Sequence, residues 1–269
     1  MIASLPMYLP GDGVAQALWS ALAGLLQQQG LADVPLALSR PADLHAHWLE
    51  PDVLLSQTCG YPLTTALHGK VQLVGSFAYD VPGASGIQCS SQLIRRKTDA
   101  RTTLAAFAGS TLAYNSTDSQ SGFNALRALV ATSQSIRPFF ARGIASGGHH
   151  ASIELVRTGR ADMAAIDCVT LAIWQAANPT PATEIAVFAQ TAPYPGLPLV
   201  TALQTPPQTL AALRSALSVV ATDARFAAVR APLHITGFEV TTLDDYAVCQ
   251  TMEKAGSPLF PEASARVYA

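Results

Sequence analysis

The chain has 269 residues, of which 49% are apolar and 13% charged, and its formal net charge is -2. This balance excludes a disordered or polyelectrolyte chain and gives no electrostatic reason to expect nucleic acid or an anionic membrane surface as a partner. An anion bound here has to be held by local dipoles and hydroxyls, and no apolar run reaches the ~20 residues of a membrane-crossing helix.

The N-terminal residues 2–8 read as a first strand, not as the basic, apolar and small-residue succession of a signal peptide. As written, the chain is expected to stay in the cytoplasm, or to be periplasmic if the sequence is a processed form. Further strand-like runs fall at 35–39, 52–57 and 71–79. Between them, Asp12 is an expected N-cap for a helix whose Leu18, Trp19, Leu22, Leu25 and Leu26 make one apolar stripe, and Gly30 stops it. The middle of the chain repeats the rhythm. A strand at 111–114 precedes a helix through Phe123, Leu126, Leu129 and Val130, and a strand at 141–145 precedes a helix through Ile153, Leu155 and Val156 that ends at Gly159. A strand at 163–166 leads to a helix through Leu171 and Trp174, and the run 185–190 leads to a Pro/Gly elbow, Pro193-Tyr194-Pro195-Gly196-Leu197-Pro198. An apolar run at 197–203 and a helix at 207–220 follow.

Strands alternating with amphipathic helices imply βαβ units and mostly parallel sheets. Two segments, 83–96 and 185 into the elbow, lack helical period. Taken as crossovers, they divide the chain into a discontinuous lobe 1, residues 1–90 plus 195–269, and an inserted lobe 2, residues 91–194. That is the plan of a hinged α/β protein with a ligand in the cleft between lobes. The four cysteines, Cys59, Cys89, Cys168 and Cys249, form no CxxC pair and no metal-ligand spacing, which leaves four free thiols or two disulfides open.

Three strand-to-helix junctions carry the residues of chemical interest. The first is Tyr114-Asn115-Ser116-Thr117-Asp118-Ser119-Gln120-Ser121-Gly122-Phe123. A helix start has unpaired N–H groups and a partial positive charge. Ser119 and Ser121 add hydroxyls there, and Gly122 lets a ligand approach the backbone, so the cluster either binds an oxyanion without Arg or Lys or simply caps a helix. The second is Ser146-Gly147-Gly148-His149-His150-Ala151-Ser152, which is a histidine-donating turn, a bland Gly-rich turn or, with no acidic or thiol partner near in sequence, a poor metal site. In the third, Asp167 falls at the carboxyl end of a buried strand, where it caps the next helix or meets a donor on a ligand. Tyr8, and Thr58, Cys59, Gly60 and Tyr61 after the 52–57 strand, lie at strand ends of the other lobe and offer hydroxyl and amide donors. No GxSxG elbow, Walker loop, Rossmann glycine fingerprint or HExxH is present, so catalysis is not expected.

The stretches 112–122 and Ile144-Ala145-Ser146-Gly147-Gly148-His149-His150-Ala151-Ser152, the run 156–167 and the elbow at Pro195-Gly196-Leu197-Pro198 together resemble the phosphate/phosphite/phosphonate-binding components of ABC transporters. The resemblance spans most of the chain and is strongest over 105–201. It implies a type II periplasmic-binding-protein fold of two α/β lobes and a solute-binding protein, without cofactor or metal, that takes up a small oxyanion. The family's Ser-Thr-Ser helix start is matched by Ser119, Gln120 and Ser121, with Gln at the middle place. Its turn histidine is matched by His149 better than by His150, its acidic residue by Asp167, and its first-lobe tyrosines by Tyr8 and Tyr61. The implied partners are the small anion and an ABC permease, with the protein a monomer or weak dimer. A cytoplasmic ligand sensor of the same fold, or a binder of sulfonates or thiamine precursors, are the alternatives the resemblance allows.

Overall fold

Val53, Leu54 and Leu55 form a run without polar alternation, the pattern of a strand covered on both faces. In the computed structural model of the chain every residue of that strand is buried. The structure describes residues 1–8, 11–133 and 138–261. They fall into two compact units. Unit 1 holds Met1–Gln88 and Pro195–Tyr246, and unit 2 holds Cys89–Tyr194 and residues 247–261.

In chain order unit 1 opens with β1 (Ile2–Ser4), α1 (Asp12–Gln28), α2 (Leu44–Trp48), β2 (Val53–Gln57), α3 (Gly60–Thr64) and β3 (Val71–Tyr79). Unit 2 continues with β4 (Ser91–Arg96), β5 (Thr111–Tyr114) and a π-helical turn, Gln120–Asn124, that runs into α4 (Ala125–Thr132). Then come β6 (Arg142–Ala145), α5 (His149–Arg157), β7 (Met163–Asp167), α6 (Cys168–Ala177) and β8 (Ile185–Gln190). The chain returns to unit 1 with β9 (Pro198–Ala202), α7 (Pro207–Thr222) and β10 (Ile235–Glu239), and α8 (Ala247–Ala255) belongs to unit 2 again.

Each unit has one five-stranded sheet, in the order β1-β2-β9-β3-β10 and β8-β4-β7-β5-β6. In unit 1, β1 pairs parallel with β2, and β9 lies antiparallel to both β2 and β3, so β1, β2 and β3 run one way. In unit 2, β5 is parallel to β6 and β7, while β4 is antiparallel to β7 and β8, so only β4 is reversed. The reversed inner strand of each sheet is the first long strand after the chain changes unit. The remaining strands of unit 2 therefore end at a common edge. The residues after Tyr114, the residues after Ala145, and Asp167 are gathered there, the edge at which open α/β sheets place ligands.

The period of two along β4, β5 and β7 sorts side chains onto two faces. Leu93, Leu112, Met163 and Ala165 pack with Phe107, Leu126, Val130, Phe139, Phe140 and Leu259 on one side. Ile94, Ala113, Ala164 and Ile166 pack with Ile153, Val156, Leu171 and Trp174 on the other. Among the described residues, no helix is long and apolar enough to cross a membrane.

Several expectations need correction. The first strand stops at Ser4, and no strand forms at 35–39. There the backbone bonds β1 at one point, Ser39 N donating to Ala3 O at 2.7 Å, and is otherwise held by α1 side chains. Gln16 donates to Leu36 O and accepts from Leu38 N at 3.0 and 3.1 Å, and Trp19 Nε1 donates to Pro35 O at 2.8 Å. The N-cap of α1 is Gly11, with Asp12 the first helical residue. The segment 83–96 is not a bare crossover, since its last six residues form β4 inside the second sheet. The strand β10 was not anticipated. It lies against β3 at Gly75 (φ 158°), where any Cβ would overlap Glu239 O. The division between units falls after Gln88 instead of after residue 90, and residues 247–261 belong to unit 2 instead of lobe 1. The reason is packing: Leu259 is 2% exposed within the unit 2 core, and its carbonyl accepts from Phe140 N at 2.9 Å. None of the four cysteines is in a disulfide, and all four are buried.

Candidate functional site

The turn after β5 is built by its own side chains. Ser119 has extended backbone and serves as N-cap, its Oγ accepting from Gly122 N at 3.0 Å. Asn124 N then reaches back to Ser119 O at 2.9 Å, a five-residue span that makes the turn π-helical. Such a widened turn is uncommon and recurs at functional sites. Ser91 of β4 braces it from below: its hydroxyl donates to Ser121 O at 2.7 Å and pairs with Tyr194 Oη at 2.7 Å.

The neighbouring junction is pinned alongside. Ser146 N donates to Tyr114 O at 2.8 Å, Gly147 N donates to Asn115 O at 3.0 Å, and the Ser146 hydroxyl pairs with Ser152 Oγ at 2.7 Å. Gly147 holds φ 82°, a conformation that favours glycine. This seats His149 at the start of α5 with its Nε2 2.8 Å from Ser121 Oγ. Ser121 Oγ lies 3.5 Å from Ser119 Oγ, so two hydroxyls and an imidazole converge. Burial, with His150 adding to it, lowers the His149 pKa to about 4 and keeps the ring neutral. Its Nδ1 is buried without a protein partner.

Gly122 also leaves room for its protein neighbours. A Cβ there would overlap Asn115 Oδ1 and stand 3.3 Å from His149 Cε1, so the missing side chain makes room for Asn115 and the histidine edge. Asn115 Oδ1 is itself buried without a partner. Gln120 departs from expectation, because its side chain bonds to Asn124 and Met252. Ser119 and Ser121 are each 5% exposed, so this helix start is a covered one.

Asp167 sits one strand away, opposite Ser91 in the β4–β7 ladder. Its Oδ1 caps α6, accepting from Val169 N and Thr170 N at 2.9 and 3.0 Å. Burial raises its pKa to about 6 in spite of those amides. Burial and the nearby Asp167 likewise push the Tyr194 hydroxyl well above its ordinary range. Of the expected unit 2 residues, Ser119, Ser121, Gly122 and His149 form one group, and Asp167 joins it through Ser91. Sequence reading missed Ser91 and Tyr194, which lay in segments taken as crossovers.

In unit 1, Tyr8 is buried and meets Tyr79 edge-on at 5.5 Å between ring centres. Thr58 is fully buried, its N–H donates to Pro198 O at 3.0 Å, and its hydroxyl has no protein partner. Cys59 is the N-cap of α3, and Tyr61 is half-buried with its carbonyl taken by the Thr64 and Thr65 hydroxyls. Among the described residues, no group of three or more His, Cys, Asp or Glu could hold a metal ion. The unit 2 arrangement offers hydroxyls, helix-start amides and a neutral imidazole. Those groups suit the binding of an oxyanion.

A family model described as ABC transporter, phosphonate, periplasmic substrate-binding protein matches residues 52–246. No curated protein sequence matches the chain. Solved structures do. A binding protein component of an ABC phosphonate transporter from Pseudomonas aeruginosa is 19% identical, with 94% of this chain and 85% of that one covered and a TM-score of 0.75. PhnD1 from Prochlorococcus marinus, solved in complex with methylphosphonate, is 14% identical over 94% of this chain and 97% of that one, with a TM-score of 0.70. XAC2383 from Xanthomonas citri, bound to chloride ion, is 14% identical over 95% and 96%, with a TM-score of 0.69. At these identities the likeness is one of fold, that of the two-lobed α/β periplasmic binding proteins.

Proposed function

The chain belongs to the periplasmic phosphonate substrate-binding proteins of ABC transporters, and from that premise we propose that it captures a small phosphonate-, phosphite- or phosphate-like oxyanion on the turn Ser119–Gly122 of unit 2. The family consists of solute-binding proteins, not enzymes. The observation that carries the ligand reading is the convergence of Ser119 Oγ, Ser121 Oγ and His149 Nε2 at a helix start, with contacts of 3.5 and 2.8 Å between them. Each hydroxyl can rotate its proton to an anion, and the first amides of the helix add partial positive charge without a counter-ion. With a net charge of -2, capture depends on these local groups and not on the field of the whole protein.

Gln120 contributes its backbone amide, since its side chain is engaged elsewhere. Within unit 1, Tyr8, Thr58, Cys59 and Tyr61 are proposed as ligand-binding residues. Thr58 has the firmest ground, as a buried hydroxyl without a protein partner is costly unless something else satisfies it. The protein acts in the periplasm as a monomer or weak dimer and delivers its ligand to an ABC permease.

Calorimetry with methylphosphonate, phosphite, phosphate and a simple sulfonate tests the reading. At least one phosphorus oxyanion is expected to bind and to raise the melting temperature. Ser119→Ala, Ser121→Ala and His149→Ala are each expected to weaken that binding by roughly ten- to a hundredfold, the loss of about 1.5–3 kcal/mol per charge-assisted hydrogen bond. Unchanged affinity in all three variants would move the site elsewhere.

A further inference from the structure

Gln120 lies between the two serines of the binding turn, yet its side chain is 1% exposed and turned to another element. Its Nε2 donates to Met252 Sδ at 3.1 Å, and its Oε1 accepts from Asn124 Nδ2 at 2.8 Å. Asn124 Nδ2 also donates to Cys249 O at 2.9 Å. Met252 and Cys249 are both on α8 and are 7% and 0% exposed. Gln120 and Asn124 are the first and last residues of the π-turn, so both its ends are fastened to one helix by buried bonds. A strained or unusual backbone persists where its surroundings over-determine it, and these bonds supply that constraint.

We propose that Gln120 is a positioning residue that ties the oxyanion-binding turn to α8, so that this late helix sets the placement of Ser119 and Ser121. A buried polar bond of this kind specifies geometry more than it adds stability, because its partners would otherwise be hydrated. α8 thereby belongs to the support of the site, although it lies more than a hundred residues away in sequence. The affinity arm of the test rests on the oxyanion reading above, whereas the exchange arm does not.

The test compares wild type with Gln120→Leu, Met252→Leu and Met252→Gln. Met252→Leu keeps the volume and removes the sulfur acceptor, and Met252→Gln restores an acceptor. Amide hydrogen exchange at residues 121–124 is measured by NMR without ligand, beside urea midpoints and calorimetry with methylphosphonate, phosphite and phosphate. Gln120→Leu and Met252→Leu are expected to speed exchange across the turn and to weaken anion binding, each by roughly tenfold. Met252→Gln is expected to recover both. Exchange that stays slow in both Leu variants would overturn the tie. Faster exchange or a lower urea midpoint with unchanged affinity would overturn the positioning role. If wild type binds none of the three anions, the ligand reading falls, and the exchange arm alone decides whether α8 holds the turn.

Discussion

Burial is the largest influence on Asp167 and lifts its pKa from 3.8 to about 6, against the pull of the Thr170 and Val169 amides. Between these two values the folded chain holds a proton that the unfolded chain has released, so stability falls as pH rises. The contribution is complete below 3.8 and is lost as pH climbs through 6. Keeping the carboxylate ionised at neutral pH then costs on the order of 3 kcal/mol. Asp167→Asn retains Oδ1 for both amides and removes the charge. It is expected to raise the urea midpoint at pH 7.5 and to flatten the stability profile between pH 4 and 6. A variant no more stable than wild type at pH 7.5 would mean that the charged form is compensated in the fold. His47 works in the opposite sense. It is 1% exposed, its Nε2 lies 2.7 Å from Ser4 Oγ, and burial lowers its pKa below 6.5, so its share of stability is present above 6.5 and lost as pH falls.

At the scale of elements, the π-turn depends on a glycine for a reason internal to unit 2. Gly122→Ala would drive a Cβ into Asn115 Oδ1, and because Ser91, Ser119 and Asn124 hold the turn on its other sides, the buried Asn115 side chain has to be displaced against the turn and the His149 edge. The variant is expected to weaken oxyanion binding at least about tenfold while circular dichroism stays native-like, given how sharply binding depends on placement. Adding Asn115→Ala removes the overlapping group and is expected to return part of the affinity, since residues in contact couple. Failure of the double variant to recover would show that Asn115 itself serves the ligand. The same local competition explains the strand misread at 35–39. Its apolar run looks strand-like, but Gln16 and Trp19 of α1 take the backbone groups of Pro35, Leu36 and Leu38, which leaves a single bond to β1, from Ser39 N to Ala3 O.

For the molecule as a whole, the late chain changes allegiance. Residues 247–261 pack with unit 2, with Leu259 in its core and Phe260 against Gly143 and the Tyr114 and Phe123 rings. Leu259→Ala is expected to cost about 2–5 kcal/mol, the range for deleting a buried leucine side chain. The loss should be local to the unit that holds the turn. Amide exchange is expected to quicken in Leu112–Tyr114 strand residues and their neighbours, while Val53–Gln57 in unit 1 keeps its protection. Equal acceleration in both units would contradict the division.

Much of the fold was legible because its signals are local. The strands at 71–79, 111–114 and 185–190 carry their apolar runs between turn residues and form as read. The three junctions at 115–122, 146–149 and 167 were legible for the same reason, as strand-to-helix transitions rich in Ser, Gly and His. Hidden from such reading were Ser91, Tyr194 and α8, whose roles depend on contacts between residues far apart in the chain. The sequence by itself determined where most strands and helices of unit 2 lie and which helix start carries the serines, because periodicity and capping act over a few residues. Only the tertiary structure decided that Gln120 turns away from the serines, that Gly122 makes room for Asn115, and that the last helix joins unit 2. Those outcomes follow from which buried polar groups find partners across the fold, and no window of neighbouring residues contains that information.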